Sequence, residues 1–222
     1  MLLECVEQET GPAPAWTVLW LHGLGADGND FAPIVPELVR PHWPALRFVF
    51  PHAPVRAVTI NGGMRMRAWY DIVGMDFATR ADASGIEESV QQVQALIARE
   101  GERGIAPSRV VLAGFSQGGA IALATGLRRQ VPLAGLVALS TYLPGGQVVA
   151  AQRHPNAVAQ PVFFAHGDGD PVIAVQHGLA SAQALEKAGF EVQWHRYPMA
   201  HQVCAQEISD LGDWLERRLL CL

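Results

Sequence analysis

Residues 109–120 read RVVLAGFSQGGA, and this stretch decides the fold. It opens with an apolar, β-branched run of the kind found in strands that are buried on both faces. The glycines at positions 114, 118 and 119 permit a sharp turn around Ser116 and close packing of a following helix. A strand, a Gly-x-Ser-x-Gly turn and a helix in this order predict a nucleophilic serine at the carboxyl end of a central strand.

Short apolar runs recur along the chain and alternate with longer segments of helical periodicity. The predicted strands are 17–21, 46–50, 109–113, 135–139, 161–165 and, at a sheet edge, 190–197. The predicted helices are 31–39, 84 to 101 or 104 with a capping box at Ser84, 117–128, 171–188 and 202–219. Residues 147–160 are predicted to form a surface loop. The alternation predicts a single α/β domain over residues 1–222, with a mostly parallel central sheet and helices on both faces.

The composition excludes several classes of protein. Half of the residues are hydrophobic and 17% are charged, which is ordinary for a globular domain. The 16 Lys and Arg residues are scattered and the net charge is −5, so we expect no nucleic-acid partner. Neither a signal peptide nor a run of about 20 apolar residues is present, so we expect no stable membrane insertion and a cytoplasmic location. Cys5, Cys204 and Cys221 are expected to be reduced thiols, with Cys204 inside a helix.

A serine nucleophile needs a general base, and the base needs an acid that fixes its tautomer. In a fold of this kind the order along the chain is serine, then acid, then histidine. His201 is the predicted base because it lies in the loop after the last strand, whereas His195 lies within that strand. The loop after the fifth predicted strand offers two acids, Asp168 and Asp170, and Asp170 would also make a good helix cap. The residues alone leave the choice between these acids open.

Residues 21–28, LHGLGADG, leave the first predicted strand through three glycines. The backbone amides of Leu24, in this loop, and of Gln117, after the serine, are the predicted donors to the oxyanion of a tetrahedral intermediate. The loop also matches the Gly-x-Gly-x-x-Gly pattern of dinucleotide sites. We disfavour that alternative because no acidic residue ends a following strand near the ribose position. We therefore expect that the protein uses no cofactor and no metal.

Seven segments together resemble the carboxylesterase and acyl-protein thioesterase (phospholipase/carboxylesterase) family between Val18 and Leu215. They are LHGLG at 21–25, PHAP at 51–54, AWYD at 68–71, SGI at 84–86, GFSQGGA at 114–120, HGxxDP at 166–171 and MAH at 199–201. The resemblance implies a compact α/β-hydrolase fold without a large cap domain. It implies a Ser116, Asp170, His201 triad with backbone donors at Leu24 and Gln117, and so favours Asp170 as the acid. It also implies a homodimer.

The resemblance further implies that the segment from Ile60 to Ile72 borders the acyl site. Met66 and Trp69 are the predicted substrate-binding residues of this segment, with a buried structural tryptophan as the alternative for Trp69. Arg65 and Arg67 flank Met66 where small residues or proline are more familiar in the family. A preference for acyl-chain length therefore does not carry over to this chain.

Three hypotheses about function follow. The leading one is a serine carboxylesterase that hydrolyses short- to medium-chain carboxylic esters, small or lipid-like, through an acyl-enzyme intermediate. The nearest alternative is an acyl-protein thioesterase or lysophospholipase that uses the same groups on long acyl chains. An alternative of another class is a catalytically silent hydrolase-like binding module. The three differ in whether Ser116 reacts and in which acyl length it accepts.

Overall fold

The computed structural model describes residues 2–74 and 82–220. Its strands are β1 (Cys5–Glu9), β2 (Trp16–Leu21), β3 (Leu46–Pro51), β4 (Val55–Val58), β5 (Met64–Arg67), β6 (Val110–Phe115), β7 (Gly135–Leu139), β8 (Val162–Gly167) and β9 (Val192–Tyr197). Its α-helices are α1 (Val35–Leu38), α2 (Ala83–Glu102), α3 (Gln117–Leu127), α4 (Gly146–Ala151), α5 (Val175–Lys187) and α6 (Ala205–Leu220). Cys221, expected to be a reduced thiol, lies outside the described residues.

One large sheet carries the strand order β1-β3-β2-β6-β7-β8-β9. Only its first pair, β1 with β3, is antiparallel, and the other neighbouring pairs are parallel. The mostly parallel sheet with β9 at one edge confirms the prediction. Because parallel strands end at the same edge, the loops after β2, β6, β8 and β9 meet there.

Helices cover both faces of this sheet, as predicted. On one face α2, α3 and α5 pack over buried side chains that include Leu19, Leu112 and Phe164. On the other face α1 and α6 pack over Trp20 and Phe48. Helix α3 is buried at every position because it lies between the sheet and α2. Within the two described ranges no separate cap domain covers the carboxyl edge of the sheet.

The first turns of three helices differ from the predicted ones. Asp82, not Ser84, is the N-cap of α2, and the Ser84 hydroxyl donates to the Asp82 carboxylate at 2.7 Å. Helix α5 begins four residues later than predicted, because Asp170 holds the residues after it in a tight turn. Helix α6 begins just after Cys204, so the prediction that places this cysteine inside the helix is wrong.

Some elements were not predicted. Strand β1 adds an antiparallel edge beside β3, and β4 and β5 pair as a separate hairpin. The prediction of a loop over residues 147–160 is wrong, because this stretch holds most of α4 and the short turn Pro155–Ala159. Its buried apolar residues, Ala150 and Ala157, have small side chains, which give too weak an apolar period to detect in the sequence.

Candidate active site

Ser116 joins β6 to α3 in a strained turn. Its φ of 53° and ψ of −119° lie in a region that residues with a side chain rarely adopt. The Ser116 amide donates to the Leu139 carbonyl at 2.9 Å, and the Thr141 hydroxyl donates to the Ser116 carbonyl at 2.6 Å. The Ala120 amide, in α3, donates to the same carbonyl at 3.1 Å. Neighbouring elements therefore hold the backbone of the turn on both sides and leave the hydroxyl for chemistry.

Two glycines allow α3 to approach the sheet this closely. A Cβ on Gly118 would lie 2.4 Å from the Leu21 carbonyl oxygen and 2.5 Å from that of His22. A Cβ on Gly114 would lie 2.4 Å from the carbonyl carbon of Gly118. Real Cβ atoms essentially never come within 3.0 Å of another heavy atom. The predicted need for glycine on both sides of Ser116 is thus confirmed by the packing.

His201 lies between Ser116 and Asp170. Its Nε2 is 2.9 Å from Ser116 Oγ, and its Nδ1 is 2.7 Å from Asp170 Oδ2. The Asp170 side chain is fully buried, and an ionised carboxylate only accepts hydrogen bonds. Nδ1 therefore donates to Asp170, and Nε2 is left to accept the serine proton. The loops that carry these three residues follow β6, β8 and β9, whose ends share one edge of the sheet.

The two candidate acids have different partners. Asp170 Oδ1 accepts hydrogen bonds from the backbone amides two and three residues later, at 2.8 and 2.9 Å, which leaves Oδ2 for His201. Asp168 has a half-exposed side chain and forms an ion pair with Arg196 at 2.6 Å. The structure therefore brings Asp170, and not Asp168, to the histidine.

His22 holds the loop after β2, a role that was not predicted. Its Nε2 accepts the Ala53 amide at 3.0 Å, so Nδ1 carries the proton and donates to the Gly23 carbonyl at 2.7 Å. Burial lowers the pKa of His22 to about 4, so the ring is neutral at neutral pH and keeps this tautomer. The sequence feature that could have indicated this role is the position of His22 in the LHGLG segment, directly before Gly23, whose carbonyl it binds.

The predicted oxyanion donors, Leu24 and Gln117, both border the cavity that contains Ser116. Gln117 is the first residue of α3, where a backbone amide has no partner within the helix. Gly25, next to Leu24, has a left-handed φ of 79° and donates its amide to the Arg67 carbonyl at 2.9 Å. The structure thus places both predicted residues at the cavity that contains the serine.

Trp69 is fully buried and does not line this cavity. Its indole Nε1 donates to the His22 carbonyl at 2.9 Å, and its amide donates to Gln117 Oε1 at 2.8 Å. The Gln117 side-chain amide in turn donates to the Tyr70 carbonyl at 2.8 Å. Of the two interpretations of Trp69, the contacts favour the structural one, in which the tryptophan ties the β2 loop to the first turn of α3.

The β4–β5 hairpin lies next to the β2 loop. Met66 is half-buried, and its Sδ lies 3.7 Å from the position of a Cβ on Gly25. Met66 is not among the residues that line the cavity, and substrate binding by it stays a prediction. Arg67 donates to the Ala53 carbonyl at 2.9 Å, and Arg65 donates within the hairpin at 3.2 Å. Both arginines therefore hydrogen-bond to backbone carbonyls close to their own strand.

A cavity of about 400 Å³ opens at the serine. Its apolar wall includes Ile72, Phe115, Val172 and Ile173, and its polar groups include Ser116 and His201. A mostly apolar cavity with a few convergent polar groups is typical of a site for a small organic ligand. The arrangement can hold an acyl group against a serine that has a base within hydrogen-bonding distance.

The family model described as "Phospholipase/Carboxylesterase" matches residues 3–219. The chain belongs to this family. It is similar to "Acyl-protein thioesterase 1" of Mycosarcoma maydis, with 38% identity over 96% of this chain and 95% of that protein. The protein of the same name in Yarrowia lipolytica is 38% identical over 91% of this chain and 92% of its own length. Among solved structures, Arabidopsis thaliana SOBER1 superimposes with a TM-score of 0.86 and 32% identity, over 92% of this chain and 99% of that one.

Membership of the phospholipase/carboxylesterase family defines the class of reaction. The chain is a serine hydrolase with an α/β-hydrolase fold, and it acts on ester bonds of acyl substrates. Among the described helices, none combines the length and the apolar character that crossing a membrane requires.

Proposed function

We propose that this family member is a carboxylesterase that hydrolyses short- to medium-chain esters, with Ser116 as the nucleophile. His201 acts as the general base and then as the general acid, and Asp170 orients His201. The observation that carries the proposal is the continuous series of short contacts from Asp170 Oδ2 to His201 (2.7 Å) and from His201 to Ser116 Oγ (2.9 Å). Such a series is what a weakly nucleophilic hydroxyl requires for attack on a carbonyl carbon.

The reaction has two stages, acylation of Ser116 and hydrolysis of the acyl-enzyme. His201 Nε2 accepts the proton of Ser116 as Oγ bonds to the carbonyl carbon, and the buried Asp170 carboxylate stabilises the imidazolium that forms. His201 then donates this proton to the leaving oxygen, the bond to the leaving group breaks, and an acyl-enzyme remains. In the second stage a water molecule gives its proton to His201 and attacks the acyl carbon. The acid leaves and Ser116 regains its proton.

We assign the oxyanion to the space between the backbone amides of Leu24 and Gln117. The N-terminal end of α3 adds a favourable dipole at the Gln117 amide. Each such donor typically lowers the barrier by about 3–4 kcal/mol, provided that its position is fixed before the reaction. The hydrogen bonds made by His22 and Gly25 supply this rigidity on the Leu24 side.

Ser116→Ala tests the nucleophile. It removes Oγ and is expected to lower kcat for p-nitrophenyl butyrate by about 10⁴- to 10⁶-fold. Asp168→Ala is the matched control, because this acid lies in the Asp170 loop but pairs with Arg196, and near wild-type turnover is expected. Substantial activity in the Ser116 variant would contradict the mechanism. Stoichiometric fluorophosphonate labelling of the wild type, absent in the variant, would exclude the silent binding module.

The names of the relatives favour a second candidate, hydrolysis of S-acyl thioesters on proteins. The same groups would serve, because a thiolate is a better leaving group than an alkoxide and needs less help from His201 as general acid. The test is kcat/KM for acyl groups from acetyl to palmitoyl, as oxygen esters, as peptide thioesters and as lysophospholipids. A maximum at butyryl or hexanoyl esters supports the carboxylesterase, whereas a strong preference for palmitoyl thioester supports the second candidate.

Three further expectations stay predictions: a single domain over residues 1–222, a cytoplasmic location and a homodimer. Limited proteolysis tests the first and cell fractionation the second. Analytical ultracentrifugation of the purified protein tests the third.

A further inference from the structure

His166 is a fully buried histidine at the end of β8, next to the Asp170 loop. Its Nε2 lies 2.8 Å from the Ile173 carbonyl oxygen, and a carbonyl oxygen only accepts hydrogen bonds. Nε2 therefore carries a proton. Burial lowers the pKa of His166, so the ring is neutral and its Nδ1 is unprotonated.

The same Nε2 also lies close to the acid of the proposed triad. His166 Nε2 is 3.4 Å from Asp170 Oδ2, the oxygen that accepts the His201 proton at 2.7 Å. The other Asp170 oxygen accepts two backbone amides, one of which belongs to Ile173. His166 thus contacts the carboxylate and also the residue whose amide orients it.

The opposite edge of the His166 ring has no space into which it could retreat. Its Nδ1 is buried and has no hydrogen-bond partner within the described part of the chain. A Cβ on Gly178, in α5, would lie 2.4 Å from this nitrogen, and the Trp194 ring lies 6.3 Å away between centroids. An unpaired buried nitrogen costs stability, so its presence here calls for an explanation.

We propose that His166 is a positioning residue, whose Nε2–H holds the turn over residues 170–173 so that Asp170 Oδ2 stays directed at His201. The role rests on the triad proposed above. Ile173 also lines the cavity, so the same hydrogen bond positions one wall of the substrate site. The titratable groups that face His166 are Asp170, His201 and, from α5, His177.

His166→Leu removes the donor and keeps a compact apolar side chain, whereas His166→Gln keeps an N–H near the Nε2 position. We expect His166→Leu to lower kcat by about 10- to 100-fold, because a misplacement of about 1 Å in a catalytic site can cost about 10²-fold, with a smaller change in KM. The acid limb of the kcat/KM profile should also move, because the carboxylate that pairs with the general base changes its position. His166→Gln should recover most of both changes.

Gly178→Ala disturbs the same ring from its other side, and it leaves the His166 donor in the chain. It should shift kcat and the acid limb in the same direction. His195→Leu is the matched control, because this histidine lies in the adjacent strand and stacks on Phe163 at 4.6 Å. It should change thermal stability without moving the acid limb.

Wild-type kcat and an unmoved acid limb in His166→Leu and Gly178→Ala would overturn the positioning role, whatever their thermal stability. Nitrogen NMR of the wild-type protein gives a test without substitution. It should show the His166 proton on Nε2, and a proton on Nδ1 would also overturn the role. Failure of the proposed function is distinguishable, since it would show either as activity that survives Ser116→Ala or as a wild-type protein that fluorophosphonate does not label.

Discussion

Gly118→Ala should separate the two sides of the oxyanion site without touching any group that takes part in the chemistry. The added Cβ would lie 2.4 Å from the Leu21 carbonyl oxygen, and real Cβ atoms keep at least 3.0 Å, so the backbones must separate by 0.6 Å (3.0 minus 2.4). The shift falls on the loop after β2 or on the first turn of α3. It therefore moves Leu24 relative to Gln117.

The expected loss follows from this displacement. A misplacement of about 1 Å in a catalytic site can cost about 10²-fold in rate, so we expect kcat/KM to fall by between ten- and a hundredfold. Overpacking should lower the free energy of unfolding by about 1–3 kcal/mol, partly offset by the better helix propensity of alanine. Hydrolysis of p-nitrophenyl butyrate measures the first quantity, and denaturation followed by circular dichroism measures the second.

Gly101→Ala is the matched control. This glycine lies in the last turn of α2, and a Cβ there would meet nothing within 4 Å. We expect wild-type activity and a gain of about 0.5–1 kcal/mol in stability, because alanine restricts the unfolded chain and favours the helix. If Gly118→Ala keeps kcat/KM within twofold of the wild type and unfolds at the same temperature, the close approach of α3 to β2 does not set the oxyanion geometry.

Two further substitutions test the role of Asp170 as the acid and the ionisation of the buried Glu207 carboxyl. In Asp170→Asn the side-chain amide donates to His201 Nδ1 and forces the histidine proton onto Nε2. We therefore expect kcat to fall about 10⁴-fold at little cost in thermal stability. Retained turnover would contradict the assignment of Asp170 as the acid. Glu207 is buried in the first turn of α6, and burial raises its pKa from 4.5 to about 8. The folded state then binds this proton more tightly than the unfolded one, so stability falls as pH rises from 4.5 to about 8, by at most about 1.4 kcal/mol per pH unit. Glu207→Gln should remove this loss of stability at rising pH. If the melting temperatures of both proteins depend on pH in the same way, the raised pKa of Glu207 is contradicted.

The strands and the turn around Ser116 were predictable because each leaves a local pattern. Runs of buried apolar residues identify the central strands, and a serine between two glycines identifies a turn that packs backbone against backbone. The first turn of α5 was not predictable in the same way. A proline after Asp170 is a good first residue of a helix, yet the carboxylate binds the two amides that follow and delays the helix to Val175. Helix α4 escaped prediction because its buried side chains are small.

The sequence by itself determined that this protein is an α/β protein with a serine in a glycine-flanked strand-to-helix turn, since the glycines and apolar runs that make the turn are neighbours in the chain. Only the tertiary structure decided which groups meet at that serine. The contacts that select Asp170 and His201 span 31 and 85 positions, and their lengths depend on where β6, β8 and β9 end relative to one another. Burial favours the structural interpretation of Trp69, and the backbone atoms that surround His22 decide its tautomer. Hydrogen-bond direction and burial are properties of the packed chain, and no single segment carries them.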